Sequence, residues 1–134
     1  CGHCKTPTIE MKLSLLCVLA LLCIAMAARS KVVEIDDSNF GDLKNQDAIV
    51  KFFAPWCGHC KTLAPVFREV AEVLDGEDVV VAEVDCTENR SLCSKFEVRG
   101  YPTVLFLHNG KKAATYKSQR TTDAIVNWTK QQIA

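Results

Sequence analysis

The sequence predicts an α/β domain with a central mixed β-sheet and helices on both faces. Two observations lead to this fold class. Short runs rich in β-branched and aromatic residues alternate with segments of helical spacing, which is typical of strands connected through helices. Near the end of the chain, Asn109-Gly110 separates two strand-like runs and indicates an antiparallel hairpin. The predicted order is β-α-β-α-β-α-β-β-α, so the sheet contains both parallel and antiparallel pairs.

The first predicted elements are a strand, a short helix and a second strand. Residues 31–35 form the first strand, and Asp37 or Ser38 can cap a helix that ends near Lys44. Residues 48–53 are rich in Val, Ile and Phe, and they are predicted to form a central strand that is covered on both faces.

The longest predicted helix begins at Gly58, directly after Ala54-Pro55-Trp56 ends the second strand. Its apolar side chains recur at helical spacing and define one buried face. Pro65 lies inside this helix and is expected to kink it, and Gly76 ends it.

The second half of the domain continues the alternation. Its predicted elements are a strand at 79–84, a polar helix-compatible segment at 87–96, strands at 103–107 and 113–116 joined by the hairpin, and a last helix capped by Thr121 or Thr122.

The length and charge of the chain limit what it can be. Its 134 residues suffice for one domain with its own core and not for two. The formal net charge is zero and no basic run stands out, which argues against a nucleic-acid partner.

Residues 11–28 are predicted to be a secretory signal peptide. Met11-Lys12 precedes an apolar run of 14 residues, and Ala25-Met26-Ala27 supplies the small residues of a cleavage site. The run is shorter than the ~20 residues that a membrane-spanning helix needs, although an uncleaved anchor or a buried helix is the alternative. The globular domain is then expected at 29–134.

Residues 1–10 precede Met11, and their first five residues repeat the Cys-Gly-His-Cys-Lys of residues 57–61. One interpretation is a second redox site. We favour an extraneous or upstream segment, because so short a stretch cannot build the helix and sheet that such a site needs.

Cys57 and Cys60 form the chemical centre that the sequence predicts. Cys57 follows a strand and lies where the next helix starts, so its sulfur faces unpaired N–H groups and the positive end of the helix dipole, which stabilise a thiolate. Cys60 lies within the first turn and can resolve a mixed disulfide. His59, between them, adds positive charge when it is protonated, which favours the dithiol form.

A static disulfide and half of a zinc site are the alternatives for this cysteine pair. Structural zinc takes four ligands. Cys86 and Cys93 are separated by six residues and flank a different segment, so they do not complete a set with Cys57 and Cys60. We therefore expect redox chemistry, with no metal and no cofactor.

The motif around these cysteines resembles a known family. Ala-Pro-Trp-Cys-Gly-His-Cys-Lys at residues 54–61 is similar to the active-site signature of protein disulfide isomerases, and the motif continues at 63–65 and at 98–103. The resemblance covers roughly 31–134. It implies a thioredoxin fold and an enzyme that oxidises, reduces or isomerises disulfides in cysteine-containing client polypeptides.

The resemblance also implies roles for single residues. Cys57 resembles the attacking cysteine and Cys60 the one that releases the client, with Gly58 and His59 between them. Arg99 matches an arginine thought to swing toward the resolving cysteine; its alternative is a surface residue. The substrate-binding positions are Trp56, which shields the sulfurs or fills core, Tyr101, and Pro102, which matches a cis-proline.

Lys51 departs from the family pattern, because many relatives carry a buried Glu at this position. That carboxylate is thought to accept the proton of the resolving cysteine. A charged Lys51 would stabilise the Cys60 thiolate, and a desolvated neutral amine could accept a proton. Alternatively, the stem packs along the core and the ammonium reaches solvent.

Cys86 and Cys93 are expected to form a structural disulfide. They bracket a segment that can fold back as a turn, the predicted compartment is oxidising, and related domains carry cysteines at similar places. Two buried free thiols are the alternative.

Three functions remain open: a secretory oxidoreductase with isomerase activity, a chaperone-like client holder, and a thioredoxin-like reductase outside the secretory route. We favour the first function. The protein is expected to be a monomer whose active-site cysteines are recycled by an oxidase or glutathione. We expect it in the endoplasmic reticulum lumen or secretory pathway. Secretion is also open, because residues 131–134 are not a Lys-Asp-Glu-Leu-type signal.

Overall fold

The computed structural model describes residues 31–134, so the predictions for the upstream segment and the signal peptide lie outside the described residues. The described chain forms one five-stranded sheet in the order β1-β3-β2-β4-β5. The strands are β1 (Val33–Glu34), β2 (Asp47–Phe53), β3 (Val80–Asp85), β4 (Thr103–His108) and β5 (Lys111–Thr115). β3 runs parallel to β1 and β2, whereas β4 runs antiparallel to β2 and β5. The prediction of a mixed sheet is confirmed.

Four helical segments connect or follow the strands. They are a 3₁₀ helix (Phe40–Asn45), α1 (Gly58–Val73), α2 (Arg90–Lys95) and α3 (Thr122–Ile133). The order agrees with the predicted one. Within the described residues no helix is long and apolar enough to span a membrane.

The helices bury the two faces of the sheet in separate cores, because alternate side chains of a strand point to opposite faces. Ile49 of β2 packs in the core that includes Phe67 of α1 and Ile125 of α3. The next residue, Val50, packs in the core that includes Leu43 of the 3₁₀ helix and Leu92 of α2. Helices therefore cover both faces, and α1 lies on the face to which Ile49 points.

The first capping prediction is wrong. Neither Asp37 nor Ser38 caps the 3₁₀ helix, which begins one residue after Asn39. Instead, a carboxylate oxygen of Asp36 accepts hydrogen bonds from the backbone N–H groups of Ser38 and Asn39, at 2.7 and 3.0 Å. Asp37 instead accepts a hydrogen bond from the hydroxyl of Ser91, 2.6 Å away, which ties this loop to α2.

The remaining turn signals agree with the structure. Asn109 and Gly110 have φ angles of 52° and 73°, which are the left-handed values that a two-residue hairpin requires. The Thr121 hydroxyl accepts a hydrogen bond from the N–H of Ala124 and caps α3. α1 continues through Pro65, and the kink expected at this proline stays a prediction.

A disulfide joins Cys86, directly after β3, to Cys93 in α2. Their Cα atoms are 5.7 Å apart, and both residues are buried. The bond fixes α2 to the carboxyl end of β3.

Candidate active site

Cys57 occupies the N-cap position of α1, four residues after β2 ends. Its backbone is extended, its N–H donates to the carbonyl of Ala54 at 3.1 Å, and its sulfur accepts a hydrogen bond from the N–H of Cys60 at 3.3 Å. The first-turn N–H groups of a helix have no partner within the helix. The Cys57 sulfur therefore satisfies one of them, as a capping oxygen would.

These contacts lower the pKa of Cys57 below its ordinary value. The largest cause is a hydrogen bond from the thiol of Cys60, followed by the backbone N–H groups of Cys60 and His59 and by the positive charge of Arg120. Burial opposes them. Each favourable contact stabilises the thiolate form, which is the nucleophile in disulfide exchange.

The pKa of Cys60 moves in the opposite direction, to about 11. Burial is the largest cause, and the hydrogen bond to Cys57 and the charge of the Cys57 thiolate add to it. A backbone hydrogen bond involving Ala54 and the charge of Lys51 act against this rise. The two thiols thus differ in acidity, with the pKa of Cys57 lowered and that of Cys60 raised.

Cys57 and Cys60 are both buried. Cys57 is 8% exposed, against 3% for Cys60, and both pack in a small cluster with Ala54, Phe53 and Tyr101. Cys57 is therefore the more accessible of the two sulfur-bearing residues, although both are buried.

The residues to which the family resemblance gives a substrate-binding role lie beside this cluster. Trp56 is 71% exposed, so it does not fill core, and its ring packs against the Tyr101 ring in a T-shaped arrangement with centroids 6.0 Å apart. The peptide bond between Tyr101 and Pro102 is cis. The structure thus brings an exposed aromatic surface next to the two cysteines.

Gly58, His59 and Arg99 are all exposed. His59 acts on Cys57 through its backbone N–H. The arginine whose charge lowers the pKa of Cys57 is Arg120, which the sequence analysis missed. Arg120 lies in the connection between β5 and α3, so only the fold brings it to the site.

Lys51 lies on β2 and is 3% exposed. Its ammonium pairs with a carboxylate oxygen of Glu83 at 2.7 Å and lies 5.1 Å and 5.2 Å from the ring centroids of Phe53 and Phe67. The alternative in which the ammonium reaches solvent is therefore wrong. The sequence analysis missed Glu83, although opposite charges on one face of two neighbouring strands were a usable signal.

A cavity of about 1030 Å³ connects this ion pair to the surface. The cavity is lined by Cys60, Lys51 and Glu83. It is also lined by Lys61 and Arg68 of α1. The cavity gives Cys60 and the ion pair a common, partly polar space on the α1 side of the sheet.

Comparison with known proteins shows the family to which the chain belongs. The thioredoxin family model matches residues 31–131. Protein disulfide-isomerase 1 of Caenorhabditis elegans is 44% identical over 117 residues, which are 84% of this chain and 24% of that protein. Protein disulfide-isomerase A3 of Gallus gallus is 43% identical over 122 residues, 89% of this chain and 24% of that protein. The chain thus spans about a quarter of these relatives.

Solved structures give the same result for the fold. The crystal structure of human ERp44 superposes with a TM-score of 0.73 at 29% identity and covers 76% of this chain and 33% of that one. The thioredoxin of Malassezia sympodialis superposes with a TM-score of 0.69 at 27% identity and covers 79% of this chain and 94% of that one.

Proposed function

The chain belongs to the thioredoxin family, and on that premise we propose that it is a thiol–disulfide oxidoreductase and isomerase acting on client proteins of the secretory pathway. The observation that carries the proposal is the separation of the two cysteines: the pKa of Cys57 is lowered, and that of Cys60 is raised to about 11. Such a pair supplies one nucleophile and one resolving thiol.

Reduction or rearrangement begins with the Cys57 thiolate. Its sulfur attacks one sulfur of a client disulfide, a new S–S bond forms between Cys57 and the client, and the other client sulfur leaves as a thiolate. The N–H groups that stabilise Cys57 also direct the reaction to this sulfur. Trp56, Tyr101 and Pro102 line the side from which a client segment would approach.

Cys60 completes the cycle. Its thiol loses a proton, the resulting thiolate attacks the Cys57 sulfur, and the client departs as a second thiolate while Cys57 and Cys60 become a disulfide. The charge of Lys51 lowers the pKa of Cys60 against the effect of burial, which supports a role for Lys51 in this step. In client oxidation the same steps run in reverse, and an oxidase or glutathione restores the disulfide.

Arg99 and Arg120 have different roles in this proposal. Arg120 acts on the reduced protein before it attacks a client, because its charge favours the Cys57 thiolate. Arg99 remains a candidate for moving toward Cys60 during turnover. We further propose that the domain acts as a monomer in the endoplasmic reticulum lumen or secretory pathway, after removal of the signal peptide at 11–28.

A client holder is the second candidate function, because Trp56 is 71% exposed beside the site and offers an apolar surface. Replacing Cys57 separates the two functions. An oxidoreductase with Cys57→Ala loses reduction of insulin and refolding of a scrambled disulfide protein, whereas a holder keeps suppressing client aggregation. Ser94→Ala, at an exposed position of α2, is the matched control, and full activity of Cys57→Ala would reject the enzyme proposal.

A further inference from the structure

The Lys51–Glu83 pair contains only one group that can accept a proton. An ammonium has donors and no lone pair, whereas a carboxylate is acceptor-only when ionised. Lys51 is 3% exposed, its ammonium pairs with Glu83 at 2.7 Å, and it lies near two aromatic rings. The carboxylate of Glu83 is therefore the proton acceptor that this ion pair offers.

We propose that Glu83 is the proton acceptor for Cys60, with Lys51 holding its carboxylate in place. The inference rests on the proposed function and adds a residue to it. Glu83 lies on β3, in register with Lys51 of β2, and the resemblance gave it no role. The carboxylate that the family pattern places at position 51 is thus supplied by the neighbouring strand.

The cavity provides the connection between Cys60 and Glu83. Both residues line it, and its volume of about 1030 Å³ exceeds by far the share of one water, roughly 30 Å³. A proton can therefore travel from the Cys60 sulfur to the carboxylate through water. The Glu83 side chain is 29% exposed, so the carboxylate can pass the proton on to bulk solvent.

The step balances without a further reactant. The Cys60 S–H bond breaks, and its proton moves through water to a Glu83 oxygen. The Cys60 thiolate forms the bond to Cys57, the Cys57–client bond breaks, and the client sulfur takes the electron pair. The protein dithiol is oxidised, and the client disulfide is reduced by two electrons.

Other charged groups face the same cavity. Lys31 precedes β1, Lys61 and Arg68 lie on α1, and two carboxylates of α1, Glu69 and Glu72, complete the set. Glu69 accepts a hydrogen bond from the Thr122 hydroxyl at 2.6 Å, which ties it to α3. Glu83 is the carboxylate paired with the buried Lys51, and this contact distinguishes it from both.

Glu83→Gln tests the inference, because Gln keeps the shape and removes the acceptor. Reduced protein is mixed in a stopped flow with a fluorescent peptide disulfide, and the formation and decay of the Cys57–peptide species are followed from pH 5 to 10. We expect formation to be unchanged and decay at neutral pH to slow roughly tenfold or more. The rising limb of the decay profile should move to higher pH, and Glu72→Gln should match the unsubstituted protein.

Glu83→Gln leaves the buried Lys51 charge without its carboxylate partner and could unfold the domain, so a second pair of variants is needed. Lys51→Met removes that charge, so Lys51→Met and Lys51→Met/Glu83→Gln differ only in the acceptor. A slower, alkaline-shifted decay in the double variant supports the inference. Equal decay rates and pH profiles in the two variants overturn it. Failure of the proposed function is distinct, since then no Cys57–peptide species would form.

Discussion

The side chains of Lys51 and Glu83 form an ion pair at 2.7 Å across two parallel strands, beside the cavity that Cys60 also lines. The lysine is 3% exposed and the carboxylate 29%. Taking charges out of water is costly, so a buried pair is weak grounds for a stabilising role. Its position next to the resolving thiol instead connects it to the proton that Cys60 must lose.

Cys57 should be labelled before Cys60. Its pKa is lowered by the contacts at the helix start, whereas that of Cys60 is raised to about 11, so near pH 7 the thiolate population resides mainly on Cys57. Iodoacetamide followed by peptide mapping checks this. Cys60→Ala should accumulate mixed disulfides with clients, and predominant labelling of Cys60 would reverse the assigned roles.

Lys51→Met should slow client release without reducing the reactivity of Cys57. The lysine charge lowers the pKa of Cys60, so removing it leaves fewer Cys60 thiolates at neutral pH. A contribution on the order of 1 kcal/mol slows release about fivefold. Stopped-flow decay of the mixed disulfide measures this, and an unchanged rate with unchanged pH dependence would make Lys51 a packing residue.

Arg120→Gln should raise the pKa of Cys57, because it removes a positive charge that favours the thiolate. The pH at which iodoacetamide labelling reaches half its maximal rate should therefore move upward. Arg99→Gln is the matched comparison and should leave this midpoint unchanged. A shift caused by Arg99→Gln alone would mean that the roles of the two arginines are exchanged.

Replacing both Cys86 and Cys93 with Ala should destabilise the domain while leaving disulfide exchange intact. Closing so short a loop is worth about 2.5 kcal/mol in the chain-entropy model. Urea unfolding of the oxidised protein measures the loss, and peptide mapping under non-reducing conditions verifies the bond. An unchanged free energy of unfolding would show that the bond does not constrain the unfolded chain.

The sequence predicted the element order because each element carries a local signal. The hairpin is one case, since Asn109 and Gly110 both adopt the positive φ that only a few residues accept readily. The first cap is the opposite case. Asp36, Asp37 and Ser38 can all accept N–H groups; in the structure Asp36 does so, whereas Asp37 accepts the tertiary hydrogen bond from Ser91.

Sequence reasoning could predict only those parts of the site whose residues are close together along the chain. Cys57 and Cys60 are three residues apart, and their roles follow from the start of one helix. Arg120 and Glu83 reach the site through the topology of the sheet, so neither has a signal in the sequence around the cysteines. Glu83 was within reach of sequence reasoning, because its register with Lys51 follows from correct strand pairing.

The equilibrium of the Cys57–Cys60 pair with a glutathione series tests the central claim most directly. A stabilised Cys57 thiolate stabilises the reduced form and makes the disulfide easier to reduce. We predict a reduction potential near the value of about −180 mV that is typical of protein disulfide isomerase. A potential of about −270 mV, as in thioredoxin, would contradict the account, as would a pair that does not exchange with glutathione.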